Sequence, residues 1–168
     1  MLNINKPIMY AKQKELEDIV KGAIDEFNVA EIYLLDTDLS ERCICAKFAT
    51  YLERALSNTP YFDYCVDVEY NRGMNDNVYT QKMLDGRNIV VDLVVHKRGR
   101  NPVTGEFDNL ICIEMKKSGG ECHLNKDKDR LQKLTNPQYE FNYRIGFMLI
   151  ARKSGIVIND KFYNPLDL

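Results

Sequence analysis

The 168-residue chain has no apolar run long enough to cross a bilayer, no internal repeat, no low-complexity tract and no change of composition to mark a domain boundary. Its start, Met1-Leu2-Asn3-Ile4-Asn5-Lys6-Pro7, does not have the character of a secretory signal. The expectation is one domain over residues 1–168, cytoplasmic and with no membrane partner. The chain also lacks a charge excess. Its formal net charge is −2, so any hold on nucleic acid must come from a local basic patch. It lacks an even cysteine set as well. The five cysteines (Cys43, Cys45, Cys65, Cys112, Cys122) sit mostly in apolar patterns and read as reduced thiols rather than a disulfide framework. Neither Cys43-x-Cys45 nor Cys122-His123 has a second pair at zinc-finger spacing, so structural zinc is not expected. His96 and His123 read as surface or loop residues.

What the chain does have is a series of short periodic segments. Met9 to Phe27 reads as a helix with Leu16, Ile19, Val20 and Ile24 on its apolar stripe. A short apolar piece, Ile32-Tyr33-Leu34-Leu35, follows. A second helix begins near Asp38 or Ser40, both good N-caps, and runs to about Ser57. Strands are expected over 61–70, 89–96 and 109–116, with 71–88 as a long polar connection. A helix over 121–134, a strand over 144–151 and an edge strand over 156–162 complete the chain. The first three strands have no helical pattern between them and pair as a meander. The fourth follows a helix and adds in parallel. The fold class is α/β, a mixed central sheet flanked by helices in αβββαβ order, with the helix over 9–27 as an extension of the core.

Two acids stand out because of their company. Asp92 lies in Ile89-Val90-Val91-Asp92-Leu93-Val94-Val95, and Glu114 in Leu110-Ile111-Cys112-Ile113-Glu114-Met115-Lys116. Runs so rich in β-branched residues read as buried strands, and a carboxylate is expensive to bury without a partner. Side chains alternate along a strand, so Cys112, Glu114 and Lys116 share one face and Ile111, Ile113 and Met115 the other. Gly99, Pro102 and Gly105 favour a hairpin between the two runs. Asp92 and Glu114 could then face each other and hold one hard cation, with Lys116 beside it.

The ordered set resembles the PD-(D/E)XK nuclease superfamily, the restriction-endonuclease-like fold, and within it a group of small bacterial proteins. The residues that carry the resemblance are Ser40-Glu41-Arg42, Val68-Glu69-Tyr70-Asn71-Arg72, Asp92 to Gly99 and Asn109 to Ser118, spread over residues 40–150. Val91 stands where the motif name has proline. The resemblance implies a nuclease acting on DNA, with RNA not excluded as substrate and a homodimer compatible. It implies Asp92 and Glu114 as ligands of Mg²⁺, with Mn²⁺ as substitute, Lys116 as the catalytic lysine and Glu41 as a helix-borne acid completing the site. The main-chain carbonyl of Met115 could add a metal ligand. Lys116 could deprotonate or orient the attacking water, or stay charged and stabilise the pentacovalent phosphorus.

Other readings stand beside these. Asp38-Leu39-Ser40-Glu41 fits a capping box, with Glu41 reaching back to its own helix start; yet Glu41, Cys45, Phe48 and Leu52 fall on one stripe, which turns the acid inward. Glu69 could serve a second metal, orient Lys116 or simply pair with Arg72. Lys126, Arg130 and Lys133 share a helix face that could take phosphates, as could Lys97, Arg98 and Arg100 in the hairpin, but Asp127 and Asp129 interleave as on a solvated face. Tyr139, Phe141 and Tyr143 could stack on bases or enter the core. The alternative to a nuclease is a catalytically silent nuclease-like fold that binds nucleic acid or protein.

Overall fold

The computed structural model describes residues 13–75, 78–119 and 124–167. Three helices come first: α1 (Gln13–Ala30), α2 (Ile32–Asp36) and α3 (Glu41–Leu56). The apolar stripe of α1 is realised in Leu16, Val20, Ala23, Ile24 and Phe27, all buried. The part of the expected first helix before Gln13 lies outside the described residues. The short apolar piece is helical too. Ser40 caps α3, its hydroxyl accepting the Cys43 N–H at 3.3 Å.

The central sheet has five strands: β1 (Cys65–Tyr70), β6 (Val91–Arg100), β7 (Phe107–Lys117), β8 (Ile145–Arg152) and β9 (Gly155–Tyr163), in that spatial order. β1, β6 and β7 form the antiparallel meander, β8 joins β7 in parallel after α4 (Leu124–Leu134), and β9 returns antiparallel. The sheet is therefore mixed and flanked by helices. Alternation along the strands splits the core in two. Leu93, Val95, Ile111, Ile113, Met115, Phe147 and Leu149 pack under α1 and α3. Val94, Cys112 and Met148 pack under Leu131 and Leu134 of α4. Each buried aliphatic side chain of this kind contributes roughly 1.5–3 kcal/mol.

Residues 71–88 are the long polar connection expected from the sequence, but they carry strands of their own. They fold into two hairpins, β2 (Arg72–Asn75) with β3 (Val78–Gln81), and β4 (Met83–Leu84) with β5 (Arg87–Asn88). These pairings are local and mostly exposed, so no apolar alternation announces them. The second hairpin turns on Asp85 (φ 49°) and Gly86 (φ 71°), the paired positive φ values of a two-residue turn that matches strand twist. Between the hairpins Lys82 plunges into the body. Its side chain is 1 % exposed. Its Nζ donates to the Tyr143 hydroxyl at 2.8 Å and lies over the rings of Tyr70, Phe141 and Tyr143. Burial lowers its pKa to about 8. Phe141 and Tyr143 are thus committed to the core rather than to stacking on bases.

At the far edge, the Asn28 side chain of α1 bonds both main-chain groups of Ile156: Nδ2 donates to its carbonyl at 2.9 Å and Oδ1 accepts its N–H at 2.7 Å. Gly155, at φ 130°, passes so close that a Cβ there would lie 2.9 Å from Asn28 Cγ. Among the described residues no helix is long and apolar enough to cross a membrane.

Candidate functional site

The antiparallel register of β6 and β7 ends at the pair Leu93 and Ile113. One residue further, the strands are joined by a side chain: Asp92 Oδ2 accepts the Met115 N–H at 2.8 Å. Next to this, Glu69 of β1 adopts φ 52°, so its residue drops out of the ladder between Val68 and Tyr70. The meander is therefore opened at one end, and the acids of the motif lie in the opening. One step past the Leu93–Ile113 pair, Asp92 and Glu114 occupy facing positions, and the Asp92 charge acts on the Glu114 carboxyl.

Glu114 is 1 % exposed and has a cationic partner from α4: Arg130 Nη1 donates to its Oε1 at 2.8 Å and to the Val90 carbonyl at 2.9 Å. Arg130 Nη2 also faces Asp127 Oδ1 at 3.3 Å. Lys116 sits between two acids, its Nζ 3.3 Å from Asp127 Oδ2 and 3.6 Å from Glu41 Oε2. Asp127 Oδ2 is buried and receives no aligned hydrogen bond, only the ion pair. Glu41 does not cap α3. Ser40 does that alone, while Glu41 Oε1 accepts the Lys117 N–H at 3.0 Å, which fastens the start of α3 to the end of β7. The inward-facing stripe decides this residue.

The electrostatics follow from that packing. Burial and the neighbouring Asp92 charge push the Glu114 carboxyl well above the ordinary range. Burial lifts Asp92 as well, against the pull of the Met115 N–H. Burial draws the Lys116 ammonium down, but Asp127, Asp92 and Glu41 outweigh it and hold the pKa above its ordinary value. Four carboxyl groups (Asp92, Glu114, Asp127, Glu41) meet two cations (Lys116, Arg130), a surplus of two negative charges when all are ionised.

A cleft of about 370 Å³ opens on this centre from the α3 side, with Glu41, Arg42, Cys45, Glu69, Asp92 and Lys117 among its walls. Asp92 lines the cleft, whereas Glu114 is buried against Arg130 of α4. Glu69 pairs across the cleft with Arg42, Nε to Oε1 at 2.7 Å, rather than with Arg72. Burial pushes the Cys45 thiol up, which makes it a wall and not a nucleophile. The Met115 side chain is buried on the other face of β7. Among the described residues no group of three or more His, Cys, Asp and Glu side chains is placed to hold a metal ion by itself. Cys122 and His123 lie outside the described residues.

The basic residues singled out from sequence are dispersed. Lys97 pairs with Asp63 at 2.7 Å, and Arg98 grips Asp67 with two hydrogen bonds at 2.8 and 2.6 Å. Lys133 bridges Asp85 and Asp129. Arg130 turns inward to Glu114, which leaves Lys126 exposed on the outer face of α4. Sequence reasoning missed Asp127, whose alternation with lysines looked like a solvated surface. The available signal was its place at i, i+4 and i+7 with Leu131 and Leu134, the buried stripe of α4. No protein-family model matches the chain, and neither a curated protein nor a solved structure does.

Proposed function

We propose that this chain is a divalent-metal-dependent nuclease that hydrolyses phosphodiester bonds in DNA on a restriction-endonuclease-like core. In this reading α3, β1, β6, β7, α4 and β8 supply the αβββαβ order, and the two hairpins of residues 71–90 are an insertion after the first strand. The observation that carries it is the pair of carboxyls Asp92 and Glu114, set at neighbouring positions of β6 and β7 beside a cleft and a charged lysine, where four acids meet two cations. A divalent cation would take the place of the protons that these two acids hold. The donor set fits a hard metal. Mg²⁺ is commonly held by one or two carboxylates and keeps several waters, so two acids suffice without a third protein ligand. Asp92 and Glu114 would hold the ion, with the Met115 carbonyl as a further oxygen. Asp127 Oδ2 has only its 3.3 Å ion pair with Lys116 and no hydrogen bond, which leaves accepting capacity at the centre.

Bound there, Mg²⁺ or Mn²⁺ supplies a Lewis acid for the phosphate and lowers the pKa of a coordinated water. The chain's own residues do the rest. Lys116 is held protonated by its acidic neighbours, which favours charge stabilisation over proton abstraction. Asp127 and Glu41 fix the position of that ammonium. Glu41 also ties the helix to the strand end that carries it.

One observation favours a second reading, a catalytically silent fold that binds nucleic acid or protein. The Arg130 guanidinium already neutralises Glu114, as expected of a site that has exchanged its metal for an arginine.

Incubating the chain with duplex, single-stranded and flapped DNA and with RNA, in Mg²⁺, Mn²⁺ or chelator, separates the two. Cleavage that needs metal and falls about a hundredfold or more in Asp92→Ala, Glu114→Ala and Lys116→Ala is expected. Full activity in all three variants overturns the assignment.

A further inference from the structure

Lys117 stands at the edge of the cleft above Asp92. The same residue walls a second cleft, of about 610 Å³, whose cations are Lys117, Arg152 and Lys153. We propose that this second cleft is the track for the nucleic-acid strand, whose phosphates are carried by Lys117, Arg152 and Lys153 and delivered to the Asp92–Glu114 centre. The proposal rests on the nuclease reading above and names its substrate path.

The track follows from strand order. β7 and β8 run in parallel, with Lys117 opposite Ala151, and the Ser118 N–H donates to the Ala151 carbonyl at 2.9 Å. Lys117 and Arg152 therefore emerge at adjacent strand ends, about 4.8 Å apart in the direction of the ladder. Lys153 follows in the turn to β9. The two lysines are held only by exposed aspartates. Lys153 meets Asp36 in a pair whose side chains are 82 % and 68 % exposed, and Lys117, 33 % exposed, meets an Asp38 that is 94 % exposed. Such solvated pairs hold their members weakly, and phosphate oxygens compete with them on favourable terms. Arg152 is exposed at the end of β8.

Two other arginines are placed differently. Arg98 is locked by a two-point grip on Asp67, and Arg130 is spent on a carboxylate that is 1 % exposed. Moving either to a phosphate would strand a half-buried or buried acid. A ligand that carries one negative charge per repeat is the chemistry that a row of releasable cations leading into a metal-demanding centre fits best.

The test is fluorescence anisotropy of labelled single-stranded and duplex DNA, with RNA of the same length, in chelator from 50 to 200 mM salt. It compares the unaltered chain with Arg152→Ala/Lys153→Ala and with Lys126→Ala/Lys133→Ala. Expected is salt-dependent binding that the first double variant weakens by about tenfold, with the log–log salt slope reduced by about 1.4 on a single strand. Binding unchanged in that variant overturns the track and leaves the nuclease reading standing, the more so if Lys126→Ala/Lys133→Ala is the variant that loses affinity. No binding of any polymer by the unaltered chain at 50 mM salt overturns the track and the nuclease reading together.

Discussion

Asp92 accepts the Met115 N–H across the gap where β6 and β7 part, and so brings its carboxyl against that of Glu114. A strand ladder would normally satisfy that N–H with a carbonyl. Using a carboxylate instead places a charge inside the sheet, and the cost is visible in both acids, which hold their protons more tightly than exposed carboxyls do. The relationship makes the metal-free protein sensitive to pH in a definite direction.

A carboxyl whose pKa rises on folding stabilises the fold below its unfolded value, about 4, and that stability is lost as the pH climbs through the folded value. In chelator the pair should therefore lower the melting temperature between pH 5 and pH 8, and Glu114→Gln should flatten that decline. Mn²⁺ should raise the melting temperature more at pH 8 than at pH 5, because protons compete for the same oxygens. Thermal denaturation at both pH values, with and without metal, is the measurement. An equal Mn²⁺ response at both would dismiss the pair as the metal's holder.

Arg130→Met leaves the buried Glu114 charge uncompensated and should cost about 3–5 kcal/mol in chelator. Adding Glu114→Gln to the same chain should recover most of the loss. Urea unfolding of the two single variants and the double one gives the coupling directly. Additive effects would show that the 2.8 Å contact contributes nothing of its own.

Lys82 offers a second pH signature, away from the site. Its folded pKa, about 8, lies below the ordinary 10.5, so the protein gains stability as the pH rises from 8 towards 10.5 and pays for the buried charge below 8. The full difference corresponds to about 3 kcal/mol, and the three ring faces around the ammonium return part of it. Relative to Lys82→Met, the unaltered chain should therefore gain stability between pH 7 and pH 10. A constant gap between the two denaturation curves would contradict this.

Gly155→Ala should destabilise by about 1–3 kcal/mol, since φ 130° is closed to a side chain and the added methyl would press on the Asn28 amide. Asn28→Ala in the Gly155→Ala background should relieve the contact but not the backbone strain. Melting temperatures of Gly155→Ala, Asn28→Ala and the double variant separate the two causes.

Much of the site was legible because Asp92 and Glu114 interrupt apolar runs, where only a function or a partner justifies a charge. The face of Glu41 was legible from its stripe with Cys45 and Phe48, although a capping box competed for it. Asp127 was hidden by its lysine neighbours, which imitate a solvated helix, and Arg130 was read as outward for the same reason. The hairpins of residues 71–90 were hidden because short, polar, locally paired strands have no buried face to imprint a period of two. The Asp85-Gly86 dipeptide was the one sign of them. Lys82 had no signal at all, since an anchor chosen by the tertiary packing of Tyr70, Phe141 and Tyr143 leaves nothing periodic in its own segment.

The two hydrogen bonds from the Asn28 amide to Ile156 bear on how copies of this chain can meet. An outermost strand ordinarily presents unpaired N–H and C=O groups, a template on which a further strand can grow. Here the groups at Ile156 are already taken, by a side chain that imitates a neighbouring backbone. Sheet extension past β9 is blocked at that residue, so a strand from a second copy would have to pair beyond Ile156 or first pull α1 away.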